Sequence, residues 1–433
     1  MGLNIQEFIV CPKCKSELSF ENSELLLCTG CSEKYKITNN VPDLKTQDMS
    51  ADFFAKEEAE LEYWKEAIPQ EMADSGDCEN YKVIEEVHSL TFNEDDFKDK
   101  VMLDIGAGPL GGMFEKFNSG KCFAVDILAD KYAQNFNLSN YKVKYICAEA
   151  EHLPFRDNSA DFILASNSID HVANIFQSFV EINRVLKEDG VFVCSSLYNS
   201  HPFAETETFV FDDEFIRDEL PKFFEVIDSS YKIFDKKLQN CDGLYKAVCK
   251  KKDITFENMH LLDQYSLFIR TYCCALKAYM DNSEKSLEYT KIALDNYVKL
   301  YKQDEYRYLF LKLKYMILNK DEKVFEELKK IDRNYFDNES WMLVIQHKIS
   351  EELISNYQSD ERILKLLELS MMMSENSDSP KRKGVSFFYL GMYYLKKGLK
   401  DKSKEAFENC LAIVPPYWKI AKEAKQYLGV PAL

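Results

Sequence analysis

The chain is short of positive charge. Across 433 residues, 55 lysines and arginines stand against 73 aspartates and glutamates, a formal charge of −18 at pH 7, and the sequence pI is about 5.0. Binding a phosphate backbone needs a basic field, so this balance argues against a nucleic-acid partner. Also missing is any apolar run near the ~20 residues that a membrane helix requires, so no span is expected. The first residues show no cationic stretch leading into an apolar core, so no secretory leader is expected either. Four of the thirteen cysteines cluster near the start. The rest are scattered, as fits a reducing cytoplasm. Cys122, Cys147 and Cys194 fall in strand-like runs, where cysteine packs as a small hydrophobe. Apolar residues at 46% suffice for buried cores, and the length points to about three domains.

The clearest feature present is Val101-Met-Leu-Asp104-Ile-Gly106-Ala-Gly108, an apolar run entering a glycine turn. Glycine takes positive φ freely and lets a backbone approach a ligand. A second acid, Asp126, ends the next apolar run, Lys121 to Asp126. A carboxylate there, about 20 residues past a glycine turn, is placed to accept hydrogen bonds from ribose hydroxyls. An adenosine-containing cofactor is therefore expected. A third glycine is lacking: Pro109 and Leu110 follow Gly108, and Gly111 and Gly112 come late. The turn is thus poorly suited to the pyrophosphate of a dinucleotide.

Leu103-Asp-Ile-Gly-Ala-Gly108 resembles the first motif of class I S-adenosylmethionine-dependent methyltransferases. Further segments extend the resemblance over residues 95 to 252. Val143 to Cys147 reads as a third strand. It leads into Glu149-Ala150-Glu-His-Leu-Pro-Phe155 and Asp161-Phe-Ile-Leu-Ala165, similar to the family's acidic, Leu-Pro-Phe and Asp run. Ser166 to His171 follows, then a helical segment and Arg184-Val-Leu-Lys-Glu-Asp-Gly190, which resembles Arg-Val-Leu-Lys-Pro-Gly-Gly. Val191 to Ser195 would be the fifth strand.

The resemblance implies an α/β, Rossmann-like, seven-stranded sheet, and roles for particular residues. Gly106 and Gly108 would pass under the methionine part of S-adenosylmethionine, and Asp104 would reach its ammonium group. Asp126 would take the ribose diol. Glu149 would accept from the adenine amino group, Ala150 would offer its backbone N–H, and Asn167 would line the sulfonium pocket. Other readings stay open. Asp104 and Asp126 could be turn or capping residues, Glu151 could stand in for Glu149, and Asn167 could be a turn former. The protein's task in methyl transfer is mainly position and exclusion of water. A hydroxyl acceptor benefits from a general base, for which the candidates are Asp170, His171 and His201. All three follow strands, where open α/β sheets bind ligands. His171 could instead be a packing residue, and Tyr198 is expected to wall the substrate.

Cys11-Pro-Lys-Cys14 and Cys28-Thr-Gly-Cys31 form two C-x2-C pairs separated by thirteen residues. Two such turns complete a tetrahedral thiolate site for structural Zn²⁺, with disulfides as the alternative. Residues 3 to 45, through Phe8-Ile-Val-Cys, Tyr35-Lys-Ile and Val41-Pro-Asp-Leu44, resemble the small zinc-ribbon domain of methyltransferase activators. That domain is often fused ahead of class I methyltransferases. The departures, Lys36 for proline and Asn40 for glycine, do not touch the metal ligands.

Residues 46 to 95 are charged and helix-prone, with Phe53, Phe54, Leu61, Tyr63 and Trp64 interspersed, broken at Pro69 and Ala73 to Asp77. They read as a lid over the cleft or as a helix that merely packs on the sheet. From residue 253 onward, apolar residues recur at three- and four-residue steps. Phe387, Leu390, Gly391, Tyr394, Ser403, Phe407, Cys410 and Pro415 resemble a tetratricopeptide repeat. A weaker copy runs through Tyr308, Leu311, Tyr315, Val324, Leu328 and Ile331, with Lys312 at the small-residue position. The expected order is a zinc ribbon (1–45), a helical linker or lid (46–95), a methyltransferase domain (96–252) and an all-α helical-repeat domain (253–433). The repeats would dock a protein or peptide, or only brace or dimerise the enzyme. The expected activity is O- or N-methylation of a small-molecule, glycan or carrier-linked acceptor. A protein acceptor docked by the repeats and an interaction scaffold with a vestigial cofactor pocket are the alternatives.

Overall fold

Strand-like apolar runs broken by turns become two sheets in a computed structural model of the chain. It describes residues 5–46, 51–68, 90, 92–118, 120–198, 209, 215–216, 219–238, 241–254, 262–280, 285–300 and 380–429, with scattered residues between 311 and 371. The N-terminal sheet holds β1 (Leu18–Asn22), β2 (Leu25–Cys28), β3 (Lys34–Thr38) and β4 (Val41–Pro42) in sequential order. Successive strands pair antiparallel. Helix α1 (Ala51–Ala67) follows.

The larger sheet is built from β5 (Val101–Ile105), β6 (Lys121–Asp126), α2 (Ala129–Asn135), β7 (Lys144–Cys147), β8 (Ala160–Ser166), α3 (Ile175–Val185), β9 (Leu186–Tyr198), β10 (Phe224–Leu238) and β11 (Cys241–Lys251). Its seven strands lie in the order β10-β11-β9-β8-β5-β6-β7. Strands β5 to β9 pair parallel, and β11 pairs antiparallel with β9. All five residues of β5 are buried, as in a parallel strand covered on both faces. From β5 the chain winds to β6 and β7 on one side, then returns to β8 on the other. That reversal makes a crevice at the carboxyl ends of the strands, the place where open α/β sheets bind ligands. This is the expected Rossmann-like α/β sheet. Strand β9 begins at Leu186, earlier than the expected Val191, with a register shift opposite Ala160 and Phe162.

Aromatic rings fill both faces. Phe92, Phe97, Phe114, Phe117 and Phe162 interlock at centroid distances of 5.1–6.4 Å on one. Phe176, Phe179, Phe192, Phe223 and Phe224 interlock at 5.0–6.3 Å on the other. The N-terminal sheet is fastened to this body. Ile9 bridges Phe155, Val10 N–H donates to Pro154 O at 2.9 Å, and the Phe8 and Phe123 rings lie 5.3 Å apart. Lys15 reaches Glu181 at 2.8 Å, and Arg156 pairs with Glu17.

The chain divides into two compact units, Met1–Lys232 with Leu238–Cys273, and Ile233–Lys237 with Cys274–Leu433. Helix α4 (Leu262–Met280) contains the boundary, and α5 (Ser286–Leu300) follows it. At the end of the second unit, α6 (Pro380–Lys396), α7 (Lys400–Ile413) and α8 (Lys419–Tyr427) pack around Phe388, Phe407, Cys410 and Trp418. A side chain at Gly391 would meet the Phe407 ring at 2.7 Å, and Ser403 Oγ donates to Gly391 O at 2.9 Å. The two expected small residues thus sit where α6 and α7 touch. Of the weaker repeat copy, Tyr308, Val324, Leu328 and Ile331 lie outside the described residues.

Candidate functional site

The carboxyl tips of β7, β6, β5 and β8 carry most of the residues singled out by the sequence. At the tip of β5, Gly106 and Gly108 have φ of 69° and 65°, a region costly for residues with a Cβ. A side chain at Gly106 would also strike Ser168 Cβ at 2.3 Å, because the turn after β8 closes there and Ser168 Oγ donates to Ile105 O at 2.6 Å. Gly108 faces Trp64 of α1, whose ring would lie 3.2 Å from a Cβ.

Asp104 is 3% exposed and accepts from Met113 N–H at 2.8 Å, holding the loop that follows the turn. Burial, opposed by that hydrogen bond and helped by the nearby Asp126, pushes its carboxyl up to about 7. Asp126 is 7% exposed; it accepts from Gly108 N–H and Leu128 N–H, each at 2.9 Å. Burial raises it to about 6 despite both donors. Among the described residues each oxygen of Asp126 accepts one backbone bond, and a carboxylate oxygen has lone-pair sites for two. The carboxylate can therefore brace the turn and still accept a diol.

Tyr145 of β7 was not singled out by the sequence. Its buried hydroxyl donates to Gly108 O at 2.9 Å and accepts from Gly111 N–H at 2.6 Å, clamping the turn from the next strand but one. A buried tyrosine hydroxyl needs such partners, but only the sheet order reveals which.

Glu149 follows β7 and is 2% exposed. Thr46 N–H lies 2.9 and 3.1 Å from its two oxygens, and Thr46 Oγ1 donates at 3.2 Å. Glu151 is occupied elsewhere: its carboxylate accepts from Ala173 and Asn174 N–H at 2.8 Å, ahead of α3. Ala150 is buried beside them. Asn167 adopts φ 52°, and its Oδ1 accepts from Leu197 N–H at 3.0 Å, so it forms the turn after β8. Asp170 is 2% exposed and accepts from Ser196 Oγ at 2.7 Å. His171 Nε2 stands 3.8 Å from Asp170 Oδ1. Tyr198 is the last residue of β9, and His201 lies outside the described residues.

The four N-terminal cysteines converge, their sulfurs all within 4.8 Å of one another. Cys11 and Cys31 Sγ are 3.7 Å apart, and Cys14 and Cys28 Sγ are 3.4 Å apart. These separations are too long for disulfides. They fit the edges of a tetrahedron of thiolates about 2.3 Å from a central ion. Gly30 and Cys31 N–H point at Cys28 Sγ, each at 3.4 Å, a pattern that stabilises thiolate charge.

Residues 103–194 match the family described as Methyltransferase domain. The chain carries a class I S-adenosylmethionine-dependent methyltransferase domain. The chain is 34% identical over 103 residues to a malonyl-[acyl-carrier protein] O-methyltransferase of Marinomonas, covering 22% of this chain and 38% of that protein. It is 36% identical over 93 residues to a mitochondrial arginine-hydroxylase of Mus musculus, covering 21% and 27%. A crystal structure of a Pyrococcus horikoshii protein is similar at 18% identity and a TM-score of 0.31, covering 44% of this chain and 99% of that one. The chain spans less than half the length of the curated relatives it matches first. No helix among the described residues is long and apolar enough to cross a membrane.

Proposed function

We propose that the chain is a cytoplasmic methyltransferase that methylates an oxygen or nitrogen of a small-molecule, glycan or carrier-linked acceptor. In this reading a ribbon (1–45) holds structural Zn²⁺, a lid (46–95) covers the site, residues 96–252 carry the chemistry and tetratricopeptide-like repeats (253–433) dock a protein or peptide. The observation that carries the reading is Asp126 bonded to Gly108 N–H. It joins the glycine turn to a buried acid at the adjacent strand tip. Bound S-adenosylmethionine would supply an activated methyl group on a sulfonium. Asp126 is the residue to hold its ribose, Asp104 its ammonium, Glu149 and Ala150 its base, and Asn167 the sulfonium side. Gly106 and Gly108 would give the amino acid tail its room. Asp170, His171 and His201 are the groups to accept a proton from a hydroxyl acceptor. A carrier-linked acceptor draws support from the Marinomonas relative.

A scaffold with a vestigial pocket would find support in Thr46 on Glu149 and Trp64 over Gly108. Against it, Asp104, Asp126 and Glu149 are all buried and hydrogen-bonded rather than turned to water, and burying three acids without use is costly. Calorimetry decides. The wild-type chain is expected to bind S-adenosylhomocysteine with a Kd on the order of micromolar, about −8 kcal/mol. Asp126→Ala is expected to weaken it at least tenfold, roughly the loss of a hydrogen bond to a charged group. Absence of binding by the wild type would favour the scaffold.

A further inference from the structure

The segment leaving the N-terminal sheet runs along the tip of β7. Asp43 forms a parallel bridge with Cys147, and Leu44 N–H donates to Cys147 O at 2.7 Å. Lys45 then pairs with Asp130 of α2 at 3.1 Å. These contacts deliver Thr46, 3% exposed, to a fixed place opposite Glu149. Among the described residues, Thr46 supplies every hydrogen bond that the Glu149 side chain receives. Its backbone N–H spans both oxygens, and its hydroxyl adds a further bond to Oε1 alone.

We infer that Thr46 is a positioning residue that sets the purine selectivity of the cofactor site by fixing the edge of Glu149 offered to the base. The inference rests on the cofactor reading above. A carboxylate has about four lone-pair sites. Thr46 loads Oε1 twice and Oε2 once, so the remaining site lies on Oε2. A 6-amino purine can donate to that site. A 6-oxo purine presents a carbonyl oxygen there and meets an acceptor. A buried polar site built for a donor rejects an analogue without one. The discrimination needs the Glu149 carboxylate held in one orientation. Without the Thr46 hydroxyl it keeps only the shared backbone N–H and is free to turn. Sequence gives no sign of the pairing, because 103 residues separate the two.

Calorimetry on the full chain tests this with two probes, S-adenosylhomocysteine and its 6-oxo analogue S-inosylhomocysteine. The wild type is expected to prefer the amino ligand. Thr46→Val, which keeps the backbone N–H, is expected to weaken the amino ligand about tenfold and to leave the oxo ligand within about twofold, the scale of one charged hydrogen bond. Thr46→Ser is expected to restore the preference. Where Thr46→Val does not fold, Thr46→Cys, near in shape and weak as a donor, takes its place. Equal weakening of both ligands would overturn the inference, leaving Thr46 a wall of the site. Tighter binding of the amino ligand would also overturn it, showing Thr46 to be a competitor for Glu149. If the wild type binds neither ligand, the cofactor reading itself fails and the inference falls with it.

Discussion

Two buried acids set the pH response at the scale of single residues. The carboxyls of Asp104 and Asp126 are pushed up to about 7 and about 6, chiefly by burial. In the unfolded chain both would titrate near the ordinary aspartate value of about 3.9. Between that value and the raised ones the folded protein holds more protons than the unfolded chain. The stability these groups contribute is therefore greatest at the low end and is lost as pH rises through 6 to 7. Other carboxylates work in the opposite direction: Glu181 and Asp161 are held low by Arg184 and Lys187. A comparison isolates the effect. The melting temperature of wild type minus that of Asp126→Asn is expected to fall from about pH 5 to about pH 8. A flat difference would mean that Asp126 is already ionised in the ligand-free protein. The same acids should make cofactor affinity rise over this window, since the diol and the ammonium favour their charged forms. The proton count comes from binding heats in buffers of different ionisation enthalpy. Asp104, Gly106, Gly108 and Asp126 could be picked out in the sequence because each is local: an acid or a glycine at the end of one apolar run. Thr46, Ser168 and Ser196 could not, since their chemistry exists only through partners on other strands.

At the scale of elements, the glycine turn is held by its neighbours as much as by its own residues. Tyr145 bonds both Gly108 O and Gly111 N–H. Tyr145→Phe keeps the ring and strands two buried backbone groups. The expected loss is about 1–3 kcal/mol in denaturant unfolding, together with weaker binding of S-adenosylhomocysteine. Unchanged stability would show that the turn holds without the clamp. The same logic explains why the later motifs were readable and their purpose was not. Arg184 donates to Leu153 O at 2.9 Å and Phe155 O at 2.8 Å, and its Nε reaches Glu181 at 2.7 Å. The Arg-Val-Leu-Lys and Leu-Pro-Phe segments are thus two halves of one joint, met in sequence as separate signatures. Asp161 likewise accepts from Val101 N–H at 2.9 Å and pairs with Lys187 at 2.7 Å, tying the start of β5 to β8 and β9. Asn167 shows a limit of such reading. The pattern offers both a pocket residue and a turn former; its φ of 52° places it in a turn, its Oδ1 ties that turn to Leu197 of β9, and the pocket role remains a proposal.

At the scale of the whole molecule, the N-terminal sheet is part of the first compact unit rather than an appendage. The loop from Cys147 to Arg156 is held by it at both ends. Leu44 N–H donates to Cys147 O, Val10 N–H to Pro154 O, and Arg156 N–H to Phe8 O at 3.3 Å. Where so small a sheet binds a structural metal, it depends on that metal for folding. If the four cysteines hold Zn²⁺, a strong chelator should release about one ion per chain and raise hydrogen exchange across residues 147–156, with α3 protected as before. The exchange pattern matters more than the metal count. Release of zinc without a change in that loop would show that the methyltransferase sheet holds the loop alone, and iron or no metal would remove the zinc assignment. Glu149 lies inside the loop. Chelation should therefore also reduce adenine preference more than it reduces overall fold stability, because the segment leaving the N-terminal sheet positions Thr46 whereas the larger sheet's own strands build the rest of the site.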